Sequence, residues 1–113
     1  VAFFRMGWVV DYPDPDNFLY VLLHSANIGP QGNYSRFNNA RFDALTEAAR
    51  FEGDPEKRRN LYQLAEKIVV EEAPWLFVYH YVDHTLIKDF VKGYELPSFG
   101  QYTNKFTKVW LDQ

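Results

Sequence analysis

Cysteine is absent from the 113 residues, which removes disulfides and thiolate metal sites from consideration and leaves the compartment open. No apolar run approaches the 18 or so residues that span a bilayer. Lysine and arginine total 12 against 15 acidic residues, and they form no cluster, so no electrostatic footprint for nucleic acid exists. Glycine and proline number six each, with no repeat or low-complexity segment. Aromatic residues are abundant instead, at 19%, within a hydrophobic content of 47%. That content excludes a disordered chain. It also gives more aromatic surface than a small core hides, which fits a ligand cleft or a face awaiting another domain. The length suits one domain with a real core. The opening "VAFFRMGWVV" reads as a buried strand without a polar lead-in, and this start at Val1 reads as a piece of a longer polypeptide, so the missing targeting segment says nothing about location.

Residues 2–10 are predicted as an apolar strand. Pro13 and Pro15 then place Asp11, Asp14 and Asp16 on a loop, since proline suits neither a helix interior nor a central strand. A short helix is expected from "NFLYVLLH", capped by Asp16 or Asn17, followed by loop over residues 25–39. Asn38 or Asn39 starts a second helix with Phe42, Leu45, Ala48 and Ala49 on its apolar face, ended by Gly53. Asp54 as N-cap and Pro55 at the first helical position start a third, with Leu61, Leu64, Ala65 and Ile68 as its stripe. The two form a helical hairpin. Residues 75–82, 85–91 and 105–111 read as strands. The order of elements argues an α/β or α+β half-domain.

The three aspartates invite four readings: a metal loop, a catalytic pair, a solvated turn, or a counter-charge for a bound cation. An EF-hand loop begun at Asp14 fails at Phe18, Leu19 and Ser25, where an acid, a glycine and a glutamate are required. A glycosidase pair needs its carboxylates about 5–9.5 Å apart in space, and no other catalytic signature accompanies them. His80 and His84 would share a helix face, but their setting reads as strand, where four residues span about 13 Å. These two and His24 are expected to be structural or surface histidines. The "NYS" triplet at 33–35 fits the glycosylation sequon and is weak without a secretory context. No metal, cofactor or catalytic residue is indicated. Asp14 and Asp16 are explained by the turn and the helix start. Asp11 differs: it follows an apolar strand where the chain leaves the sheet, and with Trp8 and Tyr12 beside it suits a ligand's primary ammonium group.

The blocks "RMGWVVDYPDPDNFL", "GNYSRFNNARFDALTEAAR", "DPEKRRNLYQLAEKIVVEEAPWLFVYHY" and "VKGYEL" resemble, in that order, the C-terminal region of the family 5 extracellular solute-binding proteins, the dipeptide and oligopeptide receptors of bacterial ABC importers. The resemblance implies the C-terminal part of a two-lobed, type II periplasmic-binding-protein fold several times longer than this chain. Residues 1–113 would supply part of the distal ligand-binding lobe and the returning C-terminal strands, with the hairpin as scaffold packed on sheet strands. It implies peptide capture outside the cytoplasmic membrane, in a periplasmic or lipid-anchored protein, with no enzyme activity. The implied partners are a peptide ligand, the membrane permease subunits of an ABC importer, and the N-terminal remainder of the same polypeptide. It further implies that Asp11 pairs with the peptide α-ammonium, that Trp8 lies beside the ligand backbone, and that Arg5 lies in the cleft. The superfamily also takes metal chelates, haem, opines and oligosaccharides, so another cargo is the alternative within the class. A carboxylate-dependent hydrolase using Asp11 with Asp14 or Asp16 is the alternative from another class, and a purely structural or interaction domain is a further one.

Overall fold

The computed structural model describes residues 4–80, 82, 84–96 and 106–112, which fall into two compact units, residues 1–77 and 78–113. The first unit is helical. Helix α1 (Asp16–Leu23) is followed by a 3₁₀ turn (Ser25–Asn27), α2 (Ala40–Phe51) and α3 (Pro55–Glu72). Each start has a chemical cause. The Asn39 side chain accepts from the N–H groups of Arg41 and Phe42, and Asp54 does the same for Glu56 and Lys57, with Pro55 in the first turn. Helix α3 ends at Ala73, whose left-handed backbone (φ 45°) turns its N–H onto the Val69 carbonyl, just before Pro74.

Helices α2 and α3 pack extensively on each other, and α1 lies against both. The core they enclose contains Leu22 and Leu23 of α1, Phe37 of the loop, Phe42 of α2, and Ala65, Ile68 and Val69 of α3, with Leu19, Val21, Leu45 and Trp75 at its margin. The rings of Phe37 and Phe42 meet edge-on at 5.3 Å. Two expected stripe positions are turned outward. Ala48 is exposed and Thr46 is buried in its place, returning its hydroxyl to the Phe42 and Asp43 carbonyls. Leu64 is exposed while Tyr62 is buried, because α3 faces its neighbours along the Tyr62, Ala65 and Val69 line.

The loop between α1 and α2 closes around Asn33, which is wholly buried. Its Nδ2 donates to the carbonyls of Leu23, His24 and Phe37, and its Oδ1 accepts from the Phe37 N–H and the Ser35 hydroxyl. The sequon asparagine is thus a structural hub with its amide fully spent. Gly32 beside it has φ 145°, and a Cβ there would lie 2.4 Å from the Val21 carbonyl oxygen.

The strand expectations fare differently. Residues 4–10 have no regular secondary structure, nor have 75–80, 82 and 84–88; residues 2, 3, 81 and 105 lie outside the described residues. In the second unit, β1 (Val91–Lys92) and β2 (Trp110–Leu111) pair antiparallel, Val91 opposite Leu111 and Lys92 opposite Trp110. Composition supplies side chains that suit a sheet, but a ladder also requires a neighbouring backbone. Among the described residues these two short segments find one and the others do not. Leu76 and Phe77 of the first unit are correspondingly exposed, as are Val78, Val82 and Leu86 of the second.

Candidate functional site

The residues singled out in the sequence lie on the stretch that leads into α1. Pro13 and Pro15 hold it as a loop, and Asp14 fastens its end: Asp14 Oδ1 accepts from the Asp16 N–H at 2.9 Å, and its backbone carbonyl from the Asn17 N–H at 3.1 Å. The expected cap is therefore displaced. The N-cap position is Pro15, which makes no side-chain cap, and Asp16 is the first helical residue, its charge placed at the positive end of the helix.

Asn17 organises the next layer. Only 1% exposed, it accepts on Oδ1 from the Trp8 indole Nε1–H at 2.8 Å and the Asp11 N–H at 3.1 Å, and its Nδ2 donates to Asp11 Oδ2 at 3.2 Å. Trp8 and Asp11 are thereby brought together. Tyr12 goes elsewhere, its hydroxyl donating to Asp16 Oδ2 at 2.6 Å. That bond, followed by burial, holds the phenol above its ordinary pKa. Arg5 is exposed on the preceding stretch without regular secondary structure.

The three acids have different fates. Asp14 receives a bidentate pair from Arg58, at 2.9 and 2.8 Å, which holds its carboxyl below the usual carboxylate range and raises the guanidinium in turn. Arg58 also reaches the Ala49 carbonyl (3.1 Å) and the Tyr62 hydroxyl (3.2 Å). Asp16, largely buried, lies 3.0 Å from Arg50 Nε, and the Arg50 guanidinium in turn covers the Tyr20 ring at 3.8 Å. Tyr12, Asp14, Asp16, Arg50 and Arg58 line one shallow depression of about 260 Å³ whose charges cancel internally. Asp11 is different: it is exposed, and among the described residues it forms no ion pair. Its carboxylate is oriented by the Asn17 amide and meets no counter-charge among the described residues.

Sequence reasoning missed Asn17, Arg50 and Arg58. The arginines stand far along the chain from the acids they meet, and nothing local marks them; Asn17 stands out in the sequence only as one of two alternative helix caps. His24, expected to be structural or at the surface, is structural, at 4% exposed. Its Nδ1 accepts from the Ala26 N–H, so the proton sits on Nε2, which faces Glu47 at 3.3 Å and Asp43 at 3.8 Å. Asp43 also accepts from the Ser25 hydroxyl and N–H, which ties the 3₁₀ turn to α2. Ser25 bonds the Asp43 carboxylate while His24 Nε2 forms no hydrogen bond among the described residues, so this cluster is a brace without the relay order of a nucleophilic triad. His80 and His84 lie in stretches without regular structure, and Asp83 lies outside the described residues.

No family model matches the chain. It is 47% identical over 94 residues to heme-binding protein A of Haemophilus influenzae, covering 83% of this chain and 17% of that protein. It is 39% identical over 92 residues to the periplasmic murein peptide-binding protein MppA of Escherichia coli, covering 81% of this chain and 16% of that protein. Among solved structures it matches the ABC transporter-associated periplasmic binding protein DppA from Helicobacter pylori in complex with the peptide STSA, with a TM-score of 0.68 and 30% identity over 94% of this chain and 21% of that one. The chain thus spans about a sixth of the curated relatives' length. These relatives are binding proteins, and the fold is part of a periplasmic binding protein's. With the four sequence blocks in their order, the likenesses establish that the chain belongs to the family 5 extracellular solute-binding proteins.

Proposed function

We propose that the protein containing this chain captures peptides outside the cytoplasmic membrane and hands them to the permease subunits of an ABC importer, binding its cargo without chemical change. In this reading the chain is a C-terminal portion of the distal lobe, and the cleft is completed by the rest of the polypeptide. The observation that carries it is Asp11: of the three loop aspartates it alone is exposed and has no arginine partner among the described residues. An oriented, uncompensated carboxylate favours a cationic ligand group, and a free α-ammonium is the one cation every unblocked peptide supplies. A neutral sugar would leave that charge desolvated without return. Trp8 lies along the ligand backbone, its indole N–H already engaged, and Tyr12 and Arg5 flank the same stretch.

Calorimetric titration of the whole protein with di- to pentapeptides and their N-acetylated forms tests this. Free-amine peptides bind, and either acetylation or Asp11→Asn costs about 2 kcal/mol or more. Equal binding of free and acetylated peptides, or none, would sink the ammonium role. A second reading, haem as cargo, is favoured by the 47% identity to heme-binding protein A. Its signature is a shifted Soret band on adding haemin to the whole protein, with peptides failing to compete.

A further inference from the structure

We infer that Asn17 is a positioning residue that aims the Asp11 carboxylate and so sets the preference for a ligand with a free ammonium group; the inference rests on the peptide-capture reading. An asparagine amide has two acceptor sites on Oδ1 and two donors on Nδ2. Both acceptor sites are occupied, by the Trp8 indole N–H and the Asp11 backbone N–H. A flipped amide would set its NH₂ against those two donors, so its orientation is fixed and Nδ2 must face Asp11 Oδ2, as it does at 3.2 Å. The consequence is specific to Asp11. The bond holds its carboxylate in place without neutralising it, whereas Asp14 and Asp16 meet arginines that do. Asn17 is itself held rigidly. It lies in the first turn of α1, buried, between two residues of a loop fastened to the hairpin by Asp14–Arg58 and Asp16–Arg50. A preorganised charge spends less binding free energy on ordering when the ligand arrives.

The test uses the whole protein: wild type, Asn17→Ala, Asn17→Asp, Asp11→Asn and the Asp11→Asn/Asn17→Ala double variant. Each is titrated with trialanine and N-acetyl-trialanine, and the ratio of the two dissociation constants is the readout. Asn17→Asp keeps the size and both accepting positions, so it carries the test if Asn17→Ala fails to fold. Its new oxygen faces Asp11 where a donor stood. Both Asn17 variants should lower the free-amine preference about tenfold with the acetylated peptide moved by less than about threefold, and Asn17→Ala should change little once Asp11 is already Asn. If both peptides weaken together, if either folded variant keeps the wild-type ratio, or if the Asp11 and Asn17 effects multiply, Asn17 is merely structural. If wild type binds both peptides without preference, the ammonium role of Asp11 and this inference fall together, and if it binds neither, the peptide-capture reading falls as well; a wild-type preference that survives in the Asn17 variants overturns this inference alone.

Discussion

Arg58 joins the candidate site to the scaffold, and replacing it by methionine should release the loop. Methionine keeps much of the aliphatic stem and removes the guanidinium. Lost with it are two charge-assisted bonds to Asp14, one to the carbonyl of the buried Ala49 and one to Tyr62. Arg58 and Asp14 are each 30% exposed, so water recovers part of the pair, leaving roughly 1–2 kcal/mol; the Ala49 carbonyl adds about 1. A total of about 2–3 kcal/mol corresponds to roughly 30- to 150-fold faster amide exchange in α1 if local opening governs it. Hydrogen exchange read by mass spectrometry on the whole protein measures this directly. Arg59→Met is the control. Its partner is Glu56 one turn away, both are more than 60% exposed, and loss of the pair should cost below about 0.5 kcal/mol. Acid adds an independent arm. Because Asp14 is held below its ordinary value of 3.8, its contribution is complete above that pH and disappears as pH falls from there through the lowered folded value. That acid loss should vanish in Arg58→Met. Exchange in Arg58→Met within about threefold of wild type, or no faster than in Arg59→Met, would refute the clamp.

Asn33→Ala should destabilise the helical unit by about 2–4 kcal/mol, since it takes the Asn33 bonds from the Leu23 and Phe37 carbonyls and the Phe37 N–H; chemical denaturation measures it. Gly32→Ala should cost about 1–3 kcal/mol or more in the same assay, because φ 145° is strained for alanine and its Cβ would meet the Val21 carbonyl. Burial pushes the Tyr62 phenol up to about 12, so its phenolate absorbance should lag the exposed tyrosines. Its contribution to stability is complete below pH 10 and is lost as pH rises towards 12, by roughly 2–3 kcal/mol, a loss absent in Tyr62→Phe.

The helical hairpin was legible because its signals are local. Asn39, Asp54 and Pro55 are recognisable caps within a turn of what they cap, and Phe42, Ala49, Ala65 and Ile68 repeat at helical spacing. The rotational setting was less legible, as Thr46 and Leu64 show. Which line of α3 turns inward depends on the neighbour it meets, and a tyrosine with a polar tip was not counted as core. The strands were only partly legible, for a related reason. A helix closes its hydrogen bonds within its own segment, so sequence suffices to propose one; a strand's bonds go to another segment, and "WLFVYHYV" carries no information about whether a partner is within reach.

The aspartate loop shows how far residue type falls short of role. Asp11, Asp14 and Asp16 are chemically identical and lie within one turn-rich stretch, yet the fold assigns them by what comes back across the hairpin. Arg58 from α3 reaches Asp14 and Arg50 from α2 reaches Asp16, which makes two of the acids internal counter-charges. Each such pair holds the loop at little cost in unpaired charge. Asp11 is met by an amide, which orients a carboxylate and leaves its charge in place. On the proposed reading, a site that attracts a cation needs both a rigid seat and an acid without an arginine, and Asp11 meets the second condition among the described residues. Had Arg58 or Arg50 reached Asp11, the loop would be as well fixed and, on the proposed reading, a ligand's ammonium would meet a neutral pair. On that reading the discriminating feature is which acid lacks an arginine among the described residues, and no spacing rule within the sequence encodes that.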